Sequence, residues 1–64
     1  MALELTPRER QVAELAASGA SNRMIADQLG LSSRTVENLL QHAYEKLGIT
    51  SRAELSQRLR EDYS

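Results

Sequence analysis

SNRMIADQLGLSSRTVENLLQHAYEKLG, residues 21 to 48, reads as two helices joined by a turn too short for anything but a sharp corner. Ser21 offers a hydroxyl N-cap, and Ile25, Ala26 and Leu29 then fall on one helical face. Gly30 stands where a helix ends in the left-handed conformation, which glycine adopts without steric cost. Ser32 is a second N-cap, so a longer helix is expected from Ser33. Leu31 before that cap and Val36 at the fourth helical position are spaced for a hydrophobic staple, which would fix the corner. A short helix, a glycine-containing turn and a second helix make a helix-turn-helix, whose second helix characteristically lies in the DNA major groove.

Upstream, Met1 to Leu5 is a short lead-in, and Thr6-Pro7-Arg8-Glu9 follows. A capping residue, a proline at the first helical position and a glutamate at the third match a capping box. Val12, Leu15 and Ala16 give the first helix one apolar stripe over 7–17, and Ser18-Gly19 ends it. Arg8, Glu9, Arg10 and Glu14 read as its solvated face. Downstream, the third helix spans 33–47, with Val36, Leu40, Ala43 and Leu47 on its core side and Gly48 as terminator. Ile49 is expected to close the core after that turn. Ser51-Arg52-Ala53-Glu54 repeats the capping-box pattern and opens a fourth helix over 52–60, with Leu55 and Leu59 pointing one way. The polar tail from Arg60 to Ser64 is expected to fray. Local signals agree throughout, so residues 1–64 read as one all-α domain of four helices.

Composition supports this. Ala, Leu, Glu, Arg and Gln dominate, aromatics are limited to Tyr44 and Tyr63, and all are consistent with helix. With 64 residues there is room for one small domain whose stability is marginal unless its helices pack well. The absence of cysteine excludes disulfides and thiolate metal sites, and one histidine makes structural zinc untenable. No apolar run approaches a membrane span and no leader pattern is present, so a cytoplasmic location is the expectation. His42 has no nucleophile or carboxylate pair beside it in the pattern, and no glycine-rich phosphate loop occurs. An enzyme is not expected, nor is any cofactor.

A helical wheel at roughly 100° per residue sorts the third helix. Leu40, Ala43 and Leu47 lie within about 40° of Val36, while Arg34, Glu37, Asn38, Gln41, His42 and Glu45 lie about 100° or more away. Leu39, about 60° off the stripe, is expected to be partly buried. Arg, Asn, Gln and Glu are the side chains that read guanine, adenine and cytosine edges, so Arg34, Glu37, Asn38 and Gln41 are the candidate base readers. The net charge of −1 is not that of a typical nucleic-acid-binding domain. The face carrying this helix nevertheless holds Arg23, Arg34, Lys46 and Arg52 against Glu37 and Glu45, a net of +2 that leaves −3 elsewhere. So small a surplus makes a dimer on two half-sites the expected route to useful affinity.

LTPRERQVAELAASGASNRMIADQLGLSSRTVENLLQHAYEKLGITSRAEL, Leu5 to Leu55, resembles the LuxR/FixJ-type (GerE-like) DNA-binding domain of bacterial transcription regulators. LTPRE, the SN-R-IA segment, the LS--TVE segment and the KLGI-SR segment carry the resemblance, in this order and spacing. It implies sequence-specific binding of double-stranded DNA as a dimer, with the third helix in the major groove and the fourth as the dimerisation surface, around Glu54, Gln57 and Arg58. It implies base reading at Glu37, Asn38 and Gln41, and phosphate contacts at Asn22, Arg23, Ser33, Thr35, Lys46 and Arg52. RNA polymerase is a further partner expected of such a regulator. Many members have histidine where this chain has Leu39, which puts one DNA-side contact in question. The receiver or ligand-binding domain usual upstream is not among these residues, so the chain reads as an excised piece or a stand-alone form. The rival reading is a protein-interaction module of the same fold with weak or lost DNA binding.

Overall fold

Thr6 opens the first helix by reciprocal bonding. The Glu9 amide donates to Thr6 Oγ1 at 3.2 Å, and the Thr6 amide donates to Glu9 Oε1 at 2.9 Å. This capping box, with Pro7 in the first turn, starts α1 at Pro7–Ala17. Ser21 Oγ accepts from the Met24 amide at 3.2 Å and starts α2 at Asn22–Leu29. Ser32 Oγ accepts from the Thr35 amide at 3.1 Å and starts α3 at Ser33–Leu47. These helices have the bounds that their caps and terminators predict, because both ends are set by local chemistry. The computed structural model describes residues 4–63; Met1–Leu3 and Ser64 lie outside the described residues.

Gly30 makes the corner between α2 and α3. Its φ of 68° and ψ of 35° are left-handed, and the Leu31 amide donates back to the Ala26 carbonyl at 2.9 Å. The Gly30 amide donates to the same carbonyl, so two successive amides close the end of α2. A Cβ at Gly30 would meet nothing within 4 Å, so the first side-chain carbon is opposed by the left-handed backbone and not by a neighbour. Gly30→Val is therefore expected to destabilise by roughly 1–2 kcal/mol. Urea denaturation checks this, and an unchanged midpoint would contradict the strain.

The fourth helix departs from the expected 52–60. A 3-10 turn, Arg52–Glu54, comes first, and α4 spans Leu55–Tyr63. Ser51 makes no side-chain cap, because its hydroxyl donates to Glu54 Oε2 at 3.2 Å, where the Thr50 amide also donates at 3.1 Å. With the hydroxyl so engaged, the first turn tightens, and the Glu54 amide donates to the Ser51 carbonyl at 3.3 Å. Nor does the helix stop at Arg60. Leu55 and Leu59 anchor it in the core, and Arg58 lies 3.6 Å from Glu61 on its outer side.

The core takes Val12, Ala13 and Ala16 from α1, Ile25 and Ala26 from α2, Val36, Leu40 and Ala43 from α3, and Leu55 and Leu59 from α4. Leu5, Ala20 and Ile49 fill it from the connections. Of these, Ile49 is expected from the sequence, whereas Leu5 and Ala20 carry no periodic signal. Leu31, Leu39 and Leu47 are half-buried against the same cluster. α1 packs on α3 and α4, and α2 packs on α3. Along α1, Arg8 and Glu14 are exposed as a solvated face requires, but Arg10 is half-buried and Glu9 is only 5% exposed. Glu9 leaves that face because its carboxylate serves both the capping box and a cation of α3.

Candidate nucleic-acid interface

Val36, Leu40 and Ala43 turn inward, so α3 presents its other side to solvent. Arg34, Glu37, Asn38 and Gln41 are all exposed there. Arg is a fixed fork of donors, Asn and Gln offer a donor and an acceptor together, and Glu only accepts, so the set can address all base pairs. Leu39 borders this surface half-buried, as the wheel predicts. Met24 on α2 is 53% exposed.

The remaining candidates fall into two groups. Arg23 and Ser33 are exposed with open donors, and Thr35 is exposed with its hydroxyl 2.9 Å from Ser32 Oγ. Asn22, Lys46 and Arg52 are half-buried and bonded within the chain. Lys46 Nζ donates to Glu9 Oε1 at 2.7 Å and to the Glu4 carbonyl at 3.3 Å. Arg52 donates to the Ala20 carbonyl and to Asn22 Oδ1, each at 2.6 Å. Sequence patterns do not show this second group, because partners 30 or more positions apart leave no periodic trace.

The Lys46–Glu9 pair also revises the charge of the face. Counted as neutral, it leaves Arg23, Arg34 and Arg52 against Glu37 and Glu45, a net of +1 rather than +2. The Lys46 ammonium beside Glu9 holds that carboxyl below the usual carboxylate range; the Thr6 amide helps and burial opposes. Glu54 is likewise held low, chiefly by the Thr50 amide. His42 is 61% exposed, with Nδ1 3.8 Å from Glu9 Oε2. Among the described residues no group of three or more His, Cys, Asp or Glu side chains could hold a metal. No helix of the described residues is long and apolar enough to cross a membrane.

On the α4 side, Glu54, Gln57 and Arg58 are exposed and line a shallow groove with Ile49 and Glu61. The groove is mixed in charge and open.

Four helices with a glycine corner between α2 and α3, and a polar outer face on the latter, define a helix-turn-helix domain. The family of bacterial regulatory proteins named luxR matches residues 3–59. A protein of Mycobacterium tuberculosis named as an HTH-type transcriptional regulator, Rv0890c, is 51% identical over 51 residues, covering 80% of this chain and 6% of its own length. The transcriptional regulatory protein UhpA of Escherichia coli is 47% identical over 55 residues, covering 86% of this chain and 28% of its own length. MctR of Rhizobium johnstonii, also named a transcriptional regulatory protein, is 47% identical over 51 residues, covering 80% of this chain and 24% of its own length. No solved structure matches the chain significantly. The chain belongs to the LuxR family of bacterial regulatory proteins. It spans well under a third of the length of these relatives.

Proposed function

We propose that this domain binds double-stranded DNA sequence-specifically as part of a transcriptional regulator, with α3 in the major groove. The observation that carries the reading is the exposure of Arg34, Glu37, Asn38 and Gln41 together on the second helix of the motif, while its opposite side is buried. Arg23, Ser33 and Thr35 would contact phosphates around that helix. Lys46 and Arg52 keep their charge near the face but act first within the chain. A face of only +1 supplies little non-specific affinity. Affinity would then come from a homodimer on repeated half-sites, joined through α4 around Glu54, Gln57 and Arg58. Such a regulator acts in the cytoplasm and meets RNA polymerase at the promoter.

Glu37 tests the reading, because its sign is wrong for simple phosphate binding. A carboxylate in the groove can accept from the cytosine amino group, and a matched base is worth about 1–3 kcal/mol. Glu37→Ala is expected to bind random DNA as well as or better than wild type, while losing discrimination at one cytosine of a site selected from a random pool. Competition binding over single-base variants of that site measures this, and a uniform shift at every position removes the base-reading role. The small charge of the face favours one rival, a protein-interaction module. Retention of wild type on generic duplex DNA at low salt separates the two, since such a module would not be retained.

A further inference from the structure

Arg52 spends both terminal nitrogens on bonds within the chain, yet it lies beside the face proposed to meet DNA. It sits half-buried on the 3-10 turn before α4. One nitrogen, Nη1, donates to the carbonyl of Ala20, the residue whose own amide closes the end of α1 on the Leu15 carbonyl. The other, Nη2, donates to Asn22 Oδ1 at the first position of α2. A single planar group thus ties the exit of one helix to the entry of the next. Only a guanidinium makes two such bonds with its donors held in a fixed fork, and lysine, a flexible point charge, does not.

The chemistry of the contact determines how Asn22 must stand. A guanidinium has donors and no acceptor, so the Asn22 atom it meets is the oxygen. The amide cannot turn over without setting donor against donor. Its Nδ2, with two hydrogens, has no partner among the described residues. Asn22 also immediately precedes the exposed Arg23. We infer that Arg52 is a positioning residue for DNA binding: it locks the Asn22 amide so that Nδ2 is presented as a neutral donor to a phosphate oxygen. The inference rests on the proposed DNA-binding reading. It gives Arg52 a role through Asn22, in place of a phosphate contact of its own.

Direct contact and positioning leave different marks. A cation bound to a phosphate releases counterions, so its removal lowers the slope of log affinity against log salt by about one. Loss of a neutral amide donor lowers affinity about equally at every salt concentration. The test uses the folded chain on its selected duplex, with Asn22→Ala, Arg52→Ala, Arg52→Lys and the Asn22→Ala/Arg52→Ala double variant, each compared by circular dichroism and by salt titration of binding. Asn22→Ala is expected to weaken binding by about fivefold, with the salt slope unchanged. Arg52→Ala is expected to give a similar loss, the double variant no greater loss than either single one, and Arg52→Lys no rescue. Wild-type affinity in Asn22→Ala, multiplying losses in the double variant, or a slope reduced by one in Arg52→Ala each overturns the inference. A purely structural role would lower the melting temperature of Arg52→Ala while leaving the affinity of the folded protein unchanged, and that too overturns it. Arg52→Ala also loses the bond to Ala20; if it does not fold, Asn22→Ala and Arg52→Lys still decide. Failure of wild type to bind any duplex would instead remove the DNA-binding reading itself, and the inference with it.

Discussion

Leu55→Ala is expected to remove about 3–5 kcal/mol of stability, the largest loss of any single substitution considered. Leu55 is 0% exposed and is among the bulkiest fully buried side chains of the domain. It opens α4, and among the described side chains of that helix it is buried together with Leu59. Truncation to alanine loses the transfer free energy of the removed carbons and leaves a cavity that rigid neighbours fill only in part. Against a total of roughly 0.05–0.15 kcal/mol per residue, a chain of 64 residues has only about 3–10 kcal/mol to lose. A substantial unfolded fraction at ambient temperature is therefore expected, visible as lost helical dichroism and a much lower urea midpoint. A change under about 0.5 kcal/mol, the size of an ordinary surface substitution, would mean that α4 does not pack as described.

What the sequence makes legible is whatever a few consecutive residues decide. Thr6, Ser21 and Ser32 cap their helices with their own hydroxyls, and Gly30 and Gly48 end theirs in left-handed geometry. Periodicity then identifies Val36, Leu40 and Ala43 as buried, and so turns Arg34, Glu37, Asn38 and Gln41 outward. The same logic falls short at Ser51, because Ser-x-x-Glu admits two solutions. The serine can cap the Glu54 amide, or it can donate to the Glu54 carboxylate, and the upstream Thr50 amide favours the second. Long-range pairing leaves no such trace. Glu9 meets Lys46 across 37 positions, and Arg52 reaches Asn22 across 30 and Ala20 across 32. A charged residue at the margin of an apolar stripe looks alike whether it faces water or a partner. Only the approach of α1 to α3 distinguishes the cases.

Breaking the pair between those two helices is the second large effect. Lys46→Met keeps an apolar stem of similar length but removes the ammonium, leaving Glu9 ionised with only the Thr6 amide and an exposed His42 nearby. Removing one partner of a buried pair typically costs 3–5 kcal/mol. Here the Lys46 side chain is 25% exposed, and water screens part of the interaction. A loss of about 2 kcal/mol at neutral pH follows. The pH dependence gives the sharper check. In the folded protein Lys46 holds the Glu9 carboxyl below its ordinary value of 4.5, so the unfolded chain binds the proton more readily. The stability due to ionised Glu9 is thus fully present above about 4.5 and is lost as pH falls through the lower folded value. Without Lys46, the Thr6 amide and burial oppose each other and Glu9 titrates closer to its ordinary range. The gap between wild type and Lys46→Met should therefore be wide at neutral pH and narrow on acidification well below 4.5. Urea denaturation of both proteins at the two pH values measures it. A gap of equal size at both would show that the Lys46 ammonium stabilises the fold through its bond to the Glu4 carbonyl, not through the charge of Glu9.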